Sequence, residues 1–287
     1  MAGKGLCLYA NLDGTNAYAL PPFVPGIFEF QFMRGTRTER DLRLAKVICK
    51  YKDAVDAING IPKISFPSTR VIAVDERVEV GNTIHTYDQV SAYVESSDPI
   101  SVCTCYCRHE AQLIDPNDTC GKPNEVCMQF GLGARFIIDK GLGREVSKKE
   151  AIDILRRSEE EGLVHCSINR QSIEFICNCC ADHCAILKTA LAQPKPGLAL
   201  NSGFQPRIDP EECTSCHDCV DNCPAAALAM AEATAPVLDM DRCFGCGVCA
   251  TTCAPAAISL IAKPGYPAPP VDQKALQQAL SPGTAAS

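Results

Sequence analysis

The spacing of the cysteines near the C-terminus constrains this chain more than any other feature of its sequence. Of its 20 cysteines, eight form two copies of one pattern, in which three cysteines stand three positions apart and a fourth follows four positions later. The first copy contains Cys213, Cys216, Cys219 and Cys223, and the second, thirty positions further on, contains Cys243, Cys246, Cys249 and Cys253. Such a repeat indicates that the chain wraps the same kind of metal centre twice.

Iron–sulfur clusters explain this spacing better than zinc. Three thiolates at this interval can enclose one face of a cubane cluster, and the fourth, carried away on the next turn, reaches a second cluster. The expected ligands of one cluster are Cys213, Cys216, Cys219 and Cys253, and those of the other are Cys223, Cys243, Cys246 and Cys249. Zinc is the alternative, but zinc sites normally use two cysteine pairs and leave no role for the third cysteine. The apolar runs Ala227–Met230 and Ala257–Ile261 predict a strand after each copy.

Residues 204–262 resemble a bacterial-type ferredoxin with two 4Fe-4S clusters, in the two cysteine patterns and in Pro224 directly after the first of them. The resemblance covers about a fifth of the chain and implies a ferredoxin-like fold and electron transfer. Two features depart from the family: Ala254 separates the second pattern from its proline, and His217 and Asp218 stand where the second copy has glycine and valine. That polar pair either tunes its cluster or belongs to a solvated loop.

Eight further cysteines lie upstream in two groups, each with enough thiols for one more cluster. The first group is Cys105, Cys107, Cys120 and Cys127, and the second is Cys177, Cys179, Cys180 and Cys184. One or two additional 4Fe-4S clusters are expected here, with structural zinc or unligated thiols as the alternative. Arg108 is available to offset charge. Residues 123–130 are predicted to open a helix that carries Cys127, and the adjacent Cys179 and Cys180 require a turn, because neighbours on a strand point to opposite faces.

The remaining sulfur and imidazole groups have simpler interpretations. Cys7, Cys49 and Cys166 have no companion at ligand spacing and are predicted to be ordinary core residues. Cys103 could take the place of Cys105 as a ligand. His165 could bind a metal or relay a proton, although a buried, hydrogen-bonded histidine is the commoner arrangement.

Composition and charge indicate a folded protein and restrict the compartment and the partners that are expected for it. Hydrophobic residues make up 46% of the chain and charged residues 21%, which excludes a mainly disordered protein. The first ten residues are too short and polar a stretch for an export signal, so the cysteines are expected to be reduced, in the cytoplasm of an anaerobic cell. No membrane span is predicted. The net charge of −7 makes nucleic acid a poor partner.

Hydrophobic periodicity predicts an α+β protein with two domains. A mixed α/β, cysteine-rich domain covers residues 1–192, a linker covers 193–203, a two-cluster ferredoxin domain covers 204–263, and a flexible proline- and alanine-rich tail covers 264–287. Helices are predicted within 21–33, from Thr38 to Asn59, at 87–94 and from Ser147 to Gly162, and strands at 70–74 and 100–103.

A hairpin is predicted from 163–168 and 172–177 around the turn at residues 169–171. A helix followed by a hairpin resembles a winged-helix unit, and the alternative is a mixed α/β scaffold that positions cysteines. The acidic run Glu159 to Glu161 offsets the positive charge of the arginines just before it, which favours the scaffold.

The sequence predicts an electron carrier or an electron-transfer subunit of a larger anaerobic oxidoreductase complex. Because no nucleotide-binding fingerprint is present, the expected partner is a flavoprotein or metalloenzyme that holds the second cofactor. A reductase whose upstream cluster binds substrate at an open coordination position is the first alternative. An iron–sulfur redox sensor that binds DNA is the second, although it needs a basic face that the sequence does not show.

Overall fold

A computed structural model describes residues 1–12, 14–21, 26–74, 77–79, 85, 88–118, 120–230 and 234–281. Within these residues the chain has the mixed α/β architecture that was predicted. The helices are α1 (Phe28–Phe32), α2 (Glu39–Asn59), α3 (Val90–Ser96), α4 (Tyr106–Ile114), α5 (Gly131–Asp139), α6 (Lys148–Glu160), α7 (Ala185–Leu191), α8 (Pro196–Ala199), α9 (Asp218–Asp221), α10 (Val248–Thr251) and α11 (Gln273–Leu280).

The strands form one large sheet and three two-stranded sheets. They are β1 (Leu8–Leu12), β2 (Thr15–Ala19), β3 (Thr69–Val71), β4 (Ile100–Thr104), β5 (Glu125–Phe130), β6 (Arg144–Val146), β7 (Val164–Ile168), β8 (Phe175–Cys179), β9 (Phe204–Ile208), β10 (Leu228–Met230), β11 (Pro236–Leu238) and β12 (Ile258–Ala262). The pairs β1–β2, β9–β12 and β10–β11 are antiparallel. The strands predicted after the two cysteine copies are β10 and β12.

A six-stranded antiparallel sheet forms the centre of the upstream part, with the strand order β3-β7-β8-β5-β4-β6. Its core contains Val102, Met128, Ile137 and Ile176, all fully buried. The predicted hairpin is β7–β8, and it lies in the middle of the sheet between β3 and β5. It therefore does not project as a wing, and the arrangement fits the mixed α/β scaffold.

The two longest predicted helices are confirmed, and their caps explain where they begin. The Thr38 hydroxyl accepts a hydrogen bond from the amide of Asp41 at 3.3 Å, and the Asp41 carboxylate accepts one from the amide of Thr38 at 3.0 Å. This capping box starts α2, which ends before Gly60. Ser147 likewise accepts a hydrogen bond from the amide of Glu150 at the start of α6.

The prediction of a helix over residues 123–130 is wrong, because Glu125–Phe130 forms strand β5. This strand lies between β4 and β8, and all its residues after the first are buried. A strand covered on both faces shows no alternation of polar and apolar residues, so its sequence cannot be told from a buried helix. Cys127 consequently lies opposite Cys103 across the sheet.

Smaller differences concern element boundaries. The first predicted helix is the short α1, and Phe23 and Val24, on which that prediction relied, lie outside the described residues. The helix predicted at 87–94 is α3, which begins at Val90, and Tyr87 lies outside the described residues. The strand predicted at 70–74 is β3, which ends at Val71.

Residues 193–203, predicted as a linker, pack tightly against the second cysteine copy. The amide of Gly197 in α8 donates to the carbonyl of Asp241 at 2.8 Å, and a Cβ on Gly197 would come within 2.7 Å of the Cys243 carbonyl oxygen. The Ser202 hydroxyl donates to the carbonyl of Gly245 at 2.6 Å. The predicted linker is therefore packed against the second copy of the cysteine pattern.

The composition of residues 264–287 predicted a flexible tail, but its described portion folds onto the molecule. The Asp272 side chain caps α11, whose Leu276 is 1% exposed. Before that helix, the carbonyl of Pro270 accepts a hydrogen bond from the amide of Gln171 at 2.9 Å. One buried leucine, this backbone contact and a hydrogen bond from the Gln171 side chain to the Pro269 carbonyl at 3.1 Å hold a segment that is otherwise polar. Within the described residues, no helix combines the length and the apolar character that crossing a bilayer requires.

Candidate metal centres

The first four-cysteine set lines a cavity at the surface of the ferredoxin-like part. The cavity has a volume of about 330 Å³, and its walls include Cys213, Cys216, Cys219 and Cys253. Three of these thiols come from the first copy and one from the second, which is the set that the sequence assigns to one cluster. Cys216 is exposed, whereas Cys219 is 8% exposed. This first cavity therefore opens to solvent.

The second four-cysteine set lines a cavity of similar size, and two of its four cysteines are buried. It has a volume of about 340 Å³, and its walls include Cys223, Cys243, Cys246 and Cys249. The amide of Ala227 donates to the Cys223 sulfur at 3.2 Å, and such bonds stabilise thiolate ligands. Burial raises the pKa of the Cys246 thiol to about 12. Cys246 is half-buried, and a thiolate there is stabilised by a cation beside it, such as the iron of a cluster.

The loops around the two cavities share one backbone shape. Left-handed φ angles occur at Ser215 (56°) and His217 (73°) in the first copy, and at Gly245 (69°) and Gly247 (92°) in the second. Because both copies turn at the same positions, three successive thiols point inward in each. His217 is exposed on the rim of the first cavity, as a residue of a solvated loop would be.

The upstream cysteines do not separate into the two groups that their sequence order indicates. Six of them lie next to one another in successive pairs that close a circuit, which we call the thiol ring. Its members, in order around the circuit, are Cys105, Cys107, Cys184, Cys179, Cys177 and Cys127. The other two, Cys120 and Cys180, lie beside each other with their sulfurs 3.9 Å apart.

The thiol ring forms where the central sheet meets two helix starts. Cys177 and Cys179 stand two positions apart on β8, so both side chains point to the same face. Cys105 and Cys184 are the N-cap residues of α4 and α7. As predicted for adjacent cysteines, the strand ends at Cys179 and a turn follows, which sends the next thiol away from the ring.

Spacing distinguishes the thiol ring from a single-ion site. Tetrahedral zinc, with Zn–S bonds of about 2.3 Å, holds its thiolates about 3.8 Å apart. Within the described part of the chain, the one group with three ligand atoms all within 4.8 Å of one another is Cys120, Cys180 and Asp182. No three of the ring thiols lie within that distance of one another, so the ring is not a single-ion site, and its six thiols exceed the four that a cubane needs.

A buried guanidinium lies next to the thiol ring. Arg108 is fully buried, and its Nη1 and Nη2 atoms donate to the carbonyls of Asn178 at 3.1 Å and Pro123 at 2.7 Å. Burial would lower the pKa of Arg108, but the thiols of Cys105 and Cys180 raise it above the ordinary value. The pKa of Cys105 is lowered by hydrogen bonds from Cys107 and Cys127 and by Arg108. The site is thus prepared to hold negative charge.

Several candidate residues are not part of these sites. Cys103 is buried, accepts a hydrogen bond from Gln129 at 3.3 Å, and has its pKa raised by burial to about 12. His165 is buried with its ring nitrogens 2.6 Å from Asn178 Oδ1 and 2.9 Å from Glu159 Oε1. It is the buried, hydrogen-bonded histidine that was the commoner expectation.

Cys166 is the residue near the site that sequence reasoning missed. Its thiol hydrogen-bonds that of Cys179, and it lies close enough to Cys184 and Cys246 for their charges to affect its pKa. The predicted hairpin turn at residues 169–171 would place Cys166 opposite Glu174. The connection actually runs from 169 to 174, and Cys166 lies opposite Cys177. No signal in the sequence reveals that shift of three residues.

Two cavities of similar size, each lined by four cysteines drawn from both copies, have the number of thiols that cubane clusters need. A family model of the 4Fe-4S dicluster domain matches residues 205–259. This match supports 4Fe-4S clusters and iron–sulfur electron transfer for the part that we now call the dicluster domain. No curated protein and no solved structure matches the chain.

Proposed function

We propose that the protein moves electrons along a row of three 4Fe-4S clusters, as a carrier or as a subunit of a larger anaerobic oxidoreductase complex. The first cavity holds the outer cluster, the second cavity holds the middle cluster, and four thiols of the thiol ring hold the inner cluster. The observation that supports this proposal is the gradient of burial along the row. One of the four cysteines is buried in the first set, two of the four are buried in the second set, and four of the six are buried in the thiol ring.

Direct packing between the second cavity and the thiol ring supports a continuous route. One buried apolar cluster contains Cys179 and Cys184 of the ring together with Cys243 and Phe244 of the dicluster domain. The amide of Val74 donates to the carbonyl of Cys246 at 3.2 Å across the same interface. Electron tunnelling weakens steeply with distance, so packing without an intervening solvent layer favours transfer between the two centres.

Charge supports the thiol ring as a cluster site. Each thiolate adds negative charge to a cluster, and Arg108 supplies a permanent positive charge beside the ring that water cannot reach. The exposed first cavity is the end at which a partner can exchange electrons. A flavoprotein or metalloenzyme of the cytoplasm fits this role.

Metal analysis of the anaerobically purified protein tests this proposal. We expect about twelve irons and about twelve sulfides per chain, and electron paramagnetic resonance signals broadened by interaction between reduced clusters. Alanine at Cys213, Cys216, Cys243 and Cys246 together removes two ligands from each dicluster site and is expected to leave about four irons in the ring. The control Cys49→Ala, at a half-buried cysteine bonded to Asp53, keeps about twelve.

An iron content of about eight in the unaltered protein would show that the thiol ring carries no cluster. A colourless protein that takes up no iron on anaerobic reconstitution would overturn the whole proposal.

A further inference from the structure

Two thiols and a carboxylate converge outside the thiol ring. The Cys120 sulfur lies 3.9 Å from the Cys180 sulfur and 3.7 Å from the Oδ2 atom of Asp182, and the three ligand atoms lie within 4.8 Å of one another. Cys180 is 4% exposed, Cys120 is half-buried and Asp182 is exposed. The group therefore runs from the interior to the surface.

The three residues meet because two loops turn toward each other. Cys120 stands in the loop between α4 and β5 and is followed by Gly121, whose φ angle of 66° lets the chain reverse there. Cys180 is the first residue after β8, and Asp182 lies in the turn that follows. The two cysteines stand 60 positions apart in the sequence, so no local spacing pattern links them.

One positively charged group and one polar backbone group lie beside the two thiols. The Arg108 guanidinium lies beside the Cys180 sulfur, and the backbone at Lys122 lies beside the Cys120 sulfur. Arg108 is completely buried, and its Nε atom has no hydrogen-bond partner among the described residues. Two thiolates and a carboxylate around a divalent ion leave one excess negative charge, and this guanidinium, which also faces the thiol ring, lies beside it.

We propose that Cys120, Cys180 and Asp182 bind one zinc-like divalent ion that is separate from the iron–sulfur clusters. The donor spacing is that of a single ion, and two sulfurs with one carboxylate oxygen suit a borderline-soft metal such as zinc. Three protein ligands leave the fourth position of a tetrahedral ion without a protein ligand. Sites of this kind keep that position for water or for a small ligand that exchanges with it.

Zinc analysis and X-ray absorption at the zinc edge test this site without interference from iron. The protein is purified anaerobically, incubated with zinc and freed of loosely bound metal. We expect about one zinc per chain, with two sulfurs at about 2.3 Å and oxygens at about 2.0 Å in its first coordination shell. Because Asp182 is exposed, Asp182→Asn should fold normally and lower zinc retention at least tenfold, with the iron content unchanged.

Matched controls distinguish ligand loss from general damage. Asp56→Asn changes an exposed carboxylate on α2, and Cys49→Ala changes a cysteine away from the group. Both are expected to retain zinc, whereas Cys120→Ala is expected to lose zinc and to keep its iron.

Three results would overturn the proposal: no retained zinc in the unaltered protein, zinc without sulfur neighbours, or loss of about four irons in Cys120→Ala. The last would assign this thiol to a cluster and leave the electron-transfer function standing. Retained zinc in a protein with about eight irons would support the ion site while contradicting the inner cluster.

Discussion

Gly245 and Gly247 stand in the second copy of the cysteine pattern where the first copy has Ser215 and His217. All four have left-handed φ angles, so backbone conformation alone does not decide where glycine is needed. In the second copy, a Cβ on Gly245 would overlap the carbonyl oxygen of Phe204, and one on Gly247 would come within 3.1 Å of Val74. Close packing of the buried loop against the rest of the protein is therefore what requires glycine.

Alanine at position 245 is expected to destabilise the protein strongly. A left-handed residue with a Cβ costs about 1–2 kcal/mol, and the overlap with the Phe204 carbonyl adds to it. We expect Gly245→Ala to lower the free energy of unfolding by at least about 2 kcal/mol and the melting temperature of the cluster-loaded protein by roughly 5 °C. Thermal unfolding followed by circular dichroism measures this change.

The equivalent position of the first copy supplies the control. Ser215 already has a side chain in the same backbone conformation, so Ser215→Ala removes only an exposed hydrogen bond to the Thr234 carbonyl and should shift the melting temperature by less than half as much. Equal effects at the two positions would contradict the role assigned to packing.

Arg108 is expected to set the reduction potential of the inner cluster. A cluster gains negative charge on reduction, so a nearby cation stabilises the reduced form. Removing that charge in Arg108→Gln should destabilise the reduced cluster by about 1–3 kcal/mol. For one electron, this lowers the reduction potential by about 40–130 mV. Potentiometric titration with electron paramagnetic resonance detection measures the shift. Arg108→Lys keeps the charge, and a shift as large as that of Arg108→Gln would indicate a packing effect instead.

At the scale of elements, the sequence predicted helices whose ends depend on local residues, but it did not predict which strands pair or in which register. The cap at Thr38 and the stop at Gly60 predicted α2, because both depend on residues close in sequence. Strand β5 was missed, because burial on both faces removes the alternation that marks a strand. The same contrast separates the sites: dicluster ligands follow each other at fixed intervals, whereas the thiol ring depends on which strands pair and in which register.

The C-terminal helix α11 shows how one residue can fix a segment whose composition predicts flexibility. Leu276 is 1% exposed, whereas Leu280, one turn on, is 41% exposed. Truncating a buried leucine costs about 2–5 kcal/mol locally, so Leu276→Ala should detach the helix from the molecule. We expect faster cleavage of the C-terminal segment by a protease at native temperature, with unchanged visible absorption from the clusters.

Leu280→Ala is the matched control, because the same atoms are removed from an exposed position. It should leave the cleavage rate within about twofold of the unaltered protein. Equal acceleration in both variants would contradict the anchoring role of Leu276.

At the scale of the whole molecule, the exposed end of the proposed electron route is acidic. Five exposed carboxylates lie close in sequence to the first three cysteines of the first cavity: Asp209, Glu211, Glu212, Asp218 and Asp221. The nearby Arg207 is paired with Glu79 and adds little positive charge to this face. A partner that exchanges electrons here would therefore be steered by a basic surface, and the same field acts on small charged oxidants.

Oxidation of the fully reduced protein by small complexes tests that field directly. A tripositive cobalt hexaammine should oxidise the outer cluster faster at low salt than at 0.5 M salt, because the Debye length falls to a few ångströms there. Hexacyanoferrate, an anion, should show the opposite dependence. Replacing Glu211 and Glu212 by glutamine is expected to weaken both dependences, whereas glutamine at Glu39 with asparagine at Asp56, both exposed on α2, should not. If the oxidation rates of both oxidants were independent of salt concentration, electrons would leave the molecule away from the acidic face. The first cavity would then not be the outer end of the row of clusters.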